Sequence, residues 1–146
     1  MKKLARGFTL IELLVVISII GVLATLVSAN LNSARSRARD AQRKSDLKGI
    51  STALRLYYND QGAYPVDGYF DSLWGVAWTD AGATYMNSVP KDPLPDQVYK
   101  YEVATDRDSF TFSACLENSS DAQGVLATGA YATWCPKSKW MFQVKQ

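Results

Sequence analysis

The chain has 146 residues, room for one domain, with 47% apolar residues and a formal net charge of +2. It has no histidine and two cysteines, Cys115 and Cys135, so neither a zinc site nor a Cys-His catalytic pair can be assembled. From Gly49 onward seven Lys and Arg face eleven Asp and Glu, a mildly acidic balance that argues against a nucleic-acid-binding surface there.

The chain opens on Lys2, Lys3 and Arg6 and then turns apolar. From Phe8 to Ala29 every residue except Glu12 is apolar or small, with Thr9, Ser18, Gly21, Thr25 and Ser28 as the interruptions. As a helix rising about 1.5 Å per residue, such a run spans the ~30 Å hydrocarbon core of a bilayer. Three fates are open to it. A signal peptidase cut after Val27-Ser28-Ala29 gives a secreted product, an uncut chain stays anchored with Met1 intact, and a cut near the basic start leaves the helix for another use. Against the first stand a run longer than the usual ~7–15-residue signal core and the carboxylate of Glu12 near its start. An ionised acid inside hydrocarbon costs about 2.5–3.5 kcal/mol, so Glu12 marks a function unless it snorkels to the interface. A second basic cluster, Arg35, Arg37, Arg39, Arg43, Lys44 and Lys48, rivals the first, and charge alone leaves the orientation open.

The string Lys2-Lys3-Leu4-Ala5-Arg6-Gly7, followed by Phe8-Thr9-Leu10-Ile11-Glu12-Leu13-Leu14-Val15-Val16, resembles the leader and first helix of type IV pilins and pseudopilins. The resemblance implies that a prepilin peptidase removes residues 1–7 by cutting between Gly7 and Phe8, and that the new Phe8 amine is methylated. It implies that Glu12 attracts the Phe8 amine of a neighbouring copy during assembly. Its implied partners are other copies of itself, minor pilins or pseudopilins, a platform protein, an assembly ATPase and the membrane. The implied location is the inner membrane with the head outside the cytosol, then an extracytoplasmic filament. Gly21 falls where the family commonly has a helix-breaking glycine. Ala29 stands where many members carry proline, and a continuous helix through Leu23, Ala24, Leu26 and Ala29 is expected instead.

Between Phe8 and Asp60 there is no proline, and glycine occurs at Gly21 and Gly49, so one helix of about 50 residues, roughly 75–80 Å long, is expected. Residues 32–46 are polar nearly all round and read as a solvated stretch, with Asp40 and Lys44 paired at i,i+4. Leu47, Ile50, Leu54, Tyr57 and Tyr58 then recur at helical spacing and form the floor of the head's core. Gly62 is the expected C-terminal cap and Pro65 blocks continuation. The phrase from Tyr57 to Pro65 is similar to the helix exit of major pseudopilins.

Residues 63–97 are rich in turn formers and aromatics, with a short helical turn expected near Phe70 to Trp74. Tyr64, Tyr69, Phe70, Trp74, Trp78 and Tyr85 read as core plugs before they read as carbohydrate platforms. Val89-Pro90-Lys91-Asp92-Pro93 resembles the segment leading into the sheet of major pseudopilins. Tyr99, Tyr101 and Val103 alternate with polar residues, as do Phe110, Phe112 and Ala114, which predicts an antiparallel hairpin across the turn Thr105 to Asp108. Trp140, Phe142 and Val144 supply a third strand. The loop Glu117 to Lys139 is pinned if Cys115 and Cys135 pair, worth about 3 kcal/mol for such a loop outside the cytosol. Asp106, Asp108 and Asp121, with Asn118, are oxygen donors for calcium, or else solvated turn residues.

The expected architecture is an α+β pilin fold. It comprises a leader (1–7), a membrane or filament-core half-helix (8–31), an amphipathic half-helix (32–62) and a head with a small antiparallel sheet of about three strands (63–146). The expected role is structural and needs no cofactor, since no nucleophile motif or paired carboxylates suggest an enzyme. The alternatives are a membrane-anchored binding module that never polymerises and a secreted small-ligand or sugar-binding domain. The helix exit and Val89 to Pro93 favour the short pseudopilus of a type II secretion system over an extended pilus.

Overall fold

A 52-residue helix, α1 (Leu10–Gln61), carries the chain from its apolar start into the head. The computed structural model describes residues 8–146, and the side chains of all of these except 26–29. With no proline to remove an N–H, nothing in the sequence stops α1 until Gly62. There the backbone turns left-handed, at φ 72°, and the Gly62 N–H donates to the Tyr58 carbonyl at 2.8 Å. The expected cap is the observed one.

Two units follow from the packing, residues 1–35 and 36–146. In the first, all the large apolar side chains from Phe8 to Leu23 are exposed. Two hydroxyls of this apolar run turn inward to the helix's own backbone, Ser18 Oγ donating to Leu14 O and Thr25 Oγ1 to Val22 O, each at 2.7 Å. Polar groups consumed in this way leave a surface suited to hydrocarbon.

In the second unit, Leu47, Ile50, Ala53, Leu54 and Tyr57 of α1 are buried in one cluster with residues from the loops and the sheet, including Tyr64, Phe70, Trp78, Phe110, Phe112 and Phe142. Tyr58 is half-buried at its edge. A 3₁₀ turn (Tyr69–Ser72) lies close to the expected turn and drives Phe70 into the core. Strand β3 (Lys100–Val103) pairs antiparallel with β4 (Phe110–Cys115), Tyr101 opposite Phe112, and β6 (Trp140–Lys145) pairs with the other edge of β4. The alternation of apolar residues fixes that register, because a slip of one residue would turn every core side chain outward.

The structure adds elements to the expected three strands. A short β5 (Val125–Leu126) joins the far edge of β6 and gives the order β3-β4-β6-β5, and a five-residue helix, α2 (Ala130–Trp134), follows it. Strands β1 (Trp78–Asp80) and β2 (Ala83–Met86) form a separate hairpin. Its turn residues Ala81 and Gly82 both have positive φ, 48° and 83°, the backbone sense that matches strand twist. Cys115 and Cys135 are bonded to each other and pack with Ala127 and Met141 in a second small core.

One expectation is overturned. Within 36–46 the helix is not a solvated stretch, because Asp40, Arg43 and Asp46 are buried. Asp40 pairs with Arg43 rather than Lys44, and Lys44 reaches Asp121 instead. The polar residues are tolerated inside because the head's loops supply partners for each of them.

Candidate functional site

At the start of α1, Thr9 and Glu12 satisfy each other. The Thr9 N–H donates to Glu12 Oε2 at 2.9 Å and the Thr9 hydroxyl donates to the same oxygen at 2.7 Å, while the Glu12 N–H lies 3.3 Å from Thr9 Oγ1. This is a reciprocal capping box of the form Thr-x-x-Glu. Thr9-Leu10-Ile11-Glu12 carries this signal in the sequence, where the surrounding apolar run obscures it. Among the described residues Glu12 Oε1 has no partner.

Among the described residues no cationic side chain pairs with the carboxylate. Between Phe8 and Ala34 Glu12 is the one charged side chain. It lies in an open groove with Phe8, Ile11, Val15 and Val16, and Phe8 is 76% exposed. Phe8 and Glu12 of one chain thus line the same groove, while Gly7 lies outside the described residues. A carboxylate on such a surface gains most from a cation brought by another molecule.

Comparison with known proteins accords with this geometry. The prokaryotic N-terminal methylation motif matches residues 2–28. The type II secretion system core protein G of Vibrio cholerae is 30% identical over 137 residues, covering 85% of this chain and 92% of its own. The chain belongs to the type IV pilin and pseudopilin family.

Core protein G of Aeromonas hydrophila is 34% identical to this pilin-family chain, over 63% of it and 69% of the relative. Fimbrial protein EcpC of Eikenella corrodens is 36% identical over 61% of the chain. The match spans about half the length of some relatives, 56% of the Eikenella protein and 45% of core protein G of Pseudomonas aeruginosa. No solved structure gives a significant match.

The head of this pilin holds a second charged cluster, whose partners lie too far apart along the chain for a local sequence signal. Arg43, fully buried, donates from Nε and Nη2 to both oxygens of Asp92, and from Nη1 to Asp40 at 2.8 Å and Glu117 at 2.9 Å. Arg39 forks onto Glu117 at 2.7 and 2.6 Å. Asp40 also accepts the backbone N–H groups of Glu117 and Asn118, both at 2.9 Å. Burial pulls the Arg43 pKa down, but hydrogen bonds to Asp92 and Glu117 outweigh it and the net shift is upward. The Arg39 guanidinium, helped by Arg43 against burial, holds Glu117 down at about 2. These carboxylates are all occupied by fixed donors, so the cluster fastens α1 to the loops flanking β3 and β4 and offers no open chemistry.

The calcium candidates fall in two different loops. Asp106 and Asp108 share the β3–β4 turn, where Asp108 accepts from the Tyr58 hydroxyl at 3.0 Å. Asp121, after β4, holds Lys44 at 2.5 Å, and Asn118 Oδ1 accepts the Ser120 N–H. Among the described residues no three His, Cys, Asp or Glu converge to hold a metal.

Proposed function

We propose that this pilin is made as a precursor and becomes a structural subunit of a type II secretion pseudopilus. In this account a prepilin peptidase cuts between Gly7 and Phe8, the Phe8 amine is methylated, and the subunit polymerises through the apolar half of α1. Before assembly that half-helix anchors the chain in the inner membrane with the head outside the cytosol. Afterwards it lies in the core of an extracytoplasmic filament. Other copies, minor pseudopilins, a platform protein and an assembly ATPase are the partners, and the role needs neither a catalytic centre nor a cofactor.

The observation that carries this function is the state of Glu12. Thr9 occupies one carboxylate oxygen, and residues 8–34 carry no cationic side chain for the other. A neighbour's Phe8 amine supplies the missing charge, and two opposite charges buried together offset part of each other's desolvation. The core protein G relatives, one of them matched over 92% of its length, favour the pseudopilus over an extended pilus.

Mass spectrometry of the mature N-terminus tests the proposal. A product beginning at methylated Phe8 is expected. A product beginning at Asn30 would show a secreted domain, and an intact Met1 would show a permanent anchor.

A further inference from the structure

Two cavities open side by side on the head, of about 240 Å³ and 210 Å³, and Val98 and Trp134 line both. Together they fall within the ~300–1,000 Å³ of small-molecule sites. The aromatics of residues 63–85 belong to the core, with Tyr64, Phe70 and Trp78 buried in it and Tyr69, Trp74 and Tyr85 packed half-buried against it. Trp134, from α2, is only half-buried and forms part of the cavity wall.

Charge in the two cavities is balanced. Asp96 and Lys137 flank the first, paired at 2.6 Å with both side chains more than half exposed, and Asp71 and Lys100 flank the second. One acid and one base at each cavity give no net preference for an anion or a cation, and they present hydrogen-bond acceptors and donors alike. Gln97 lines the first cavity, and its Oε1 is buried without a hydrogen-bond donor among the described residues. The terminal torsion of a glutamine amide is broad, so this oxygen can turn toward a donor arriving in the cavity.

We infer that the paired cavities are a binding groove for a neutral glycan, with Trp134 as the stacking platform between two adjoining sugar subsites. The apolar C–H face of a pyranose covers the indole ring. Its hydroxyls donate to Gln97 Oε1 and the carboxylates and accept from the lysines. The site lies within the head and functions whether or not the subunit polymerises.

The test uses full-length mature protein in lauryldimethylamine oxide, a detergent without a sugar headgroup. Saturation-transfer difference NMR is recorded against maltose, cellobiose, lactose and N,N′-diacetylchitobiose at about 10 mM, enough to fill a millimolar site. Transfer to at least one disaccharide is expected, falling about tenfold in Trp134→Ala and several-fold in Gln97→Leu, which keeps the volume of the side chain. Unchanged thermal unfolding of Gln97→Leu keeps the comparison valid if Trp134→Ala fails to fold. The proposal is overturned by absence of transfer from all four sugars. Equal transfer in wild type and Gln97→Leu overturns it too, as does stronger transfer from triglycine, which would mark a peptide groove.

Discussion

Arg43 and Asp92 meet through two parallel hydrogen bonds, Nε to Oδ2 at 2.8 Å and Nη2 to Oδ1 at 2.9 Å, with both side chains sealed from solvent. The planar fork of a guanidinium makes this contact, and an ammonium does not. Arg43→Met leaves Asp92 and Asp40 buried without a cation, and a loss of about 3–5 kcal/mol is expected, as for other buried pairs broken on one side. Arg43→Lys restores the charge without the fork and falls between the two. Urea unfolding followed by tryptophan fluorescence reads the difference. A wild-type midpoint in Arg43→Met would show that the contact adds nothing to the head.

Glu117 gives the head an acid limit. Its folded-state pKa, held down at about 2 by Arg39 and Arg43, lies below the ordinary 4.5. A depressed carboxylate binds its proton more weakly when folded, so its contribution is complete above about pH 4.5 and disappears as pH falls toward 2. With the side chain 22% exposed and partly screened, that contribution is on the order of 2 kcal/mol. The Lys44 ammonium lowers Asp121 as well and adds a slope of the same sign. The thermal midpoint of wild type should therefore fall more steeply below pH 4.5 than that of Glu117→Gln. Parallel curves would remove Glu117 from the account.

The contrast between these two residues and the rest of the head shows what the sequence could carry. The extent of α1 follows from absent prolines and a capping glycine, and the register of β3, β4 and β6 from a period of two. Both are local signals. Arg43 finds Asp92 and Glu117 across 49 and 74 residues, and no local pattern announces such a pairing. A helix segment polar on every side reads as solvated until its distant partners are known. The β1–β2 hairpin was hidden differently, since Ala81 occupies a positive-φ position where Asn, Asp or Gly would have signalled the turn. At the proposed assembly site Glu12 is legible by its cost in hydrocarbon, while Thr9 is hidden because the apolar run around it reads as a membrane span.

The Cys115–Cys135 bond ties the end of β4 to the end of α2 across a separation of 20 residues. The segment between holds only β5, α2 and a small core of its own, so reduction should loosen that segment before the main core. Replacing both cysteines by serine is expected to cost about 3 kcal/mol. Hydrogen exchange should accelerate from Val125 to Lys139 and stay slow from Leu47 to Tyr57. Uniform acceleration through both regions would mean that the bond supports the whole head.

Thr9 and Glu12 separate two contributions to assembly, a hydrogen bond within the subunit and a charge between subunits. Thr9→Val keeps the shape and the backbone N–H donor but removes the hydroxyl, one of the two bonds to Glu12 Oε2. A hydrogen bond to a charged group is worth about 1.5–3 kcal/mol, so a filament yield lower by roughly tenfold or more is expected. Glu12→Ala should leave processing at Gly7 largely intact and abolish or severely weaken filaments, because no group remains to neutralise the neighbouring Phe8 amine. Glu12→Gln decides between the two contributions, since its amide oxygen still accepts from Thr9 and carries no charge. If neutralisation drives polymerisation, Glu12→Gln assembles as poorly as Glu12→Ala, read by sheared-filament immunoblot beside mass spectrometry of the processed N-terminus. Wild-type filaments from Glu12→Gln would assign the role of this residue to capping the helix and not to pairing between subunits.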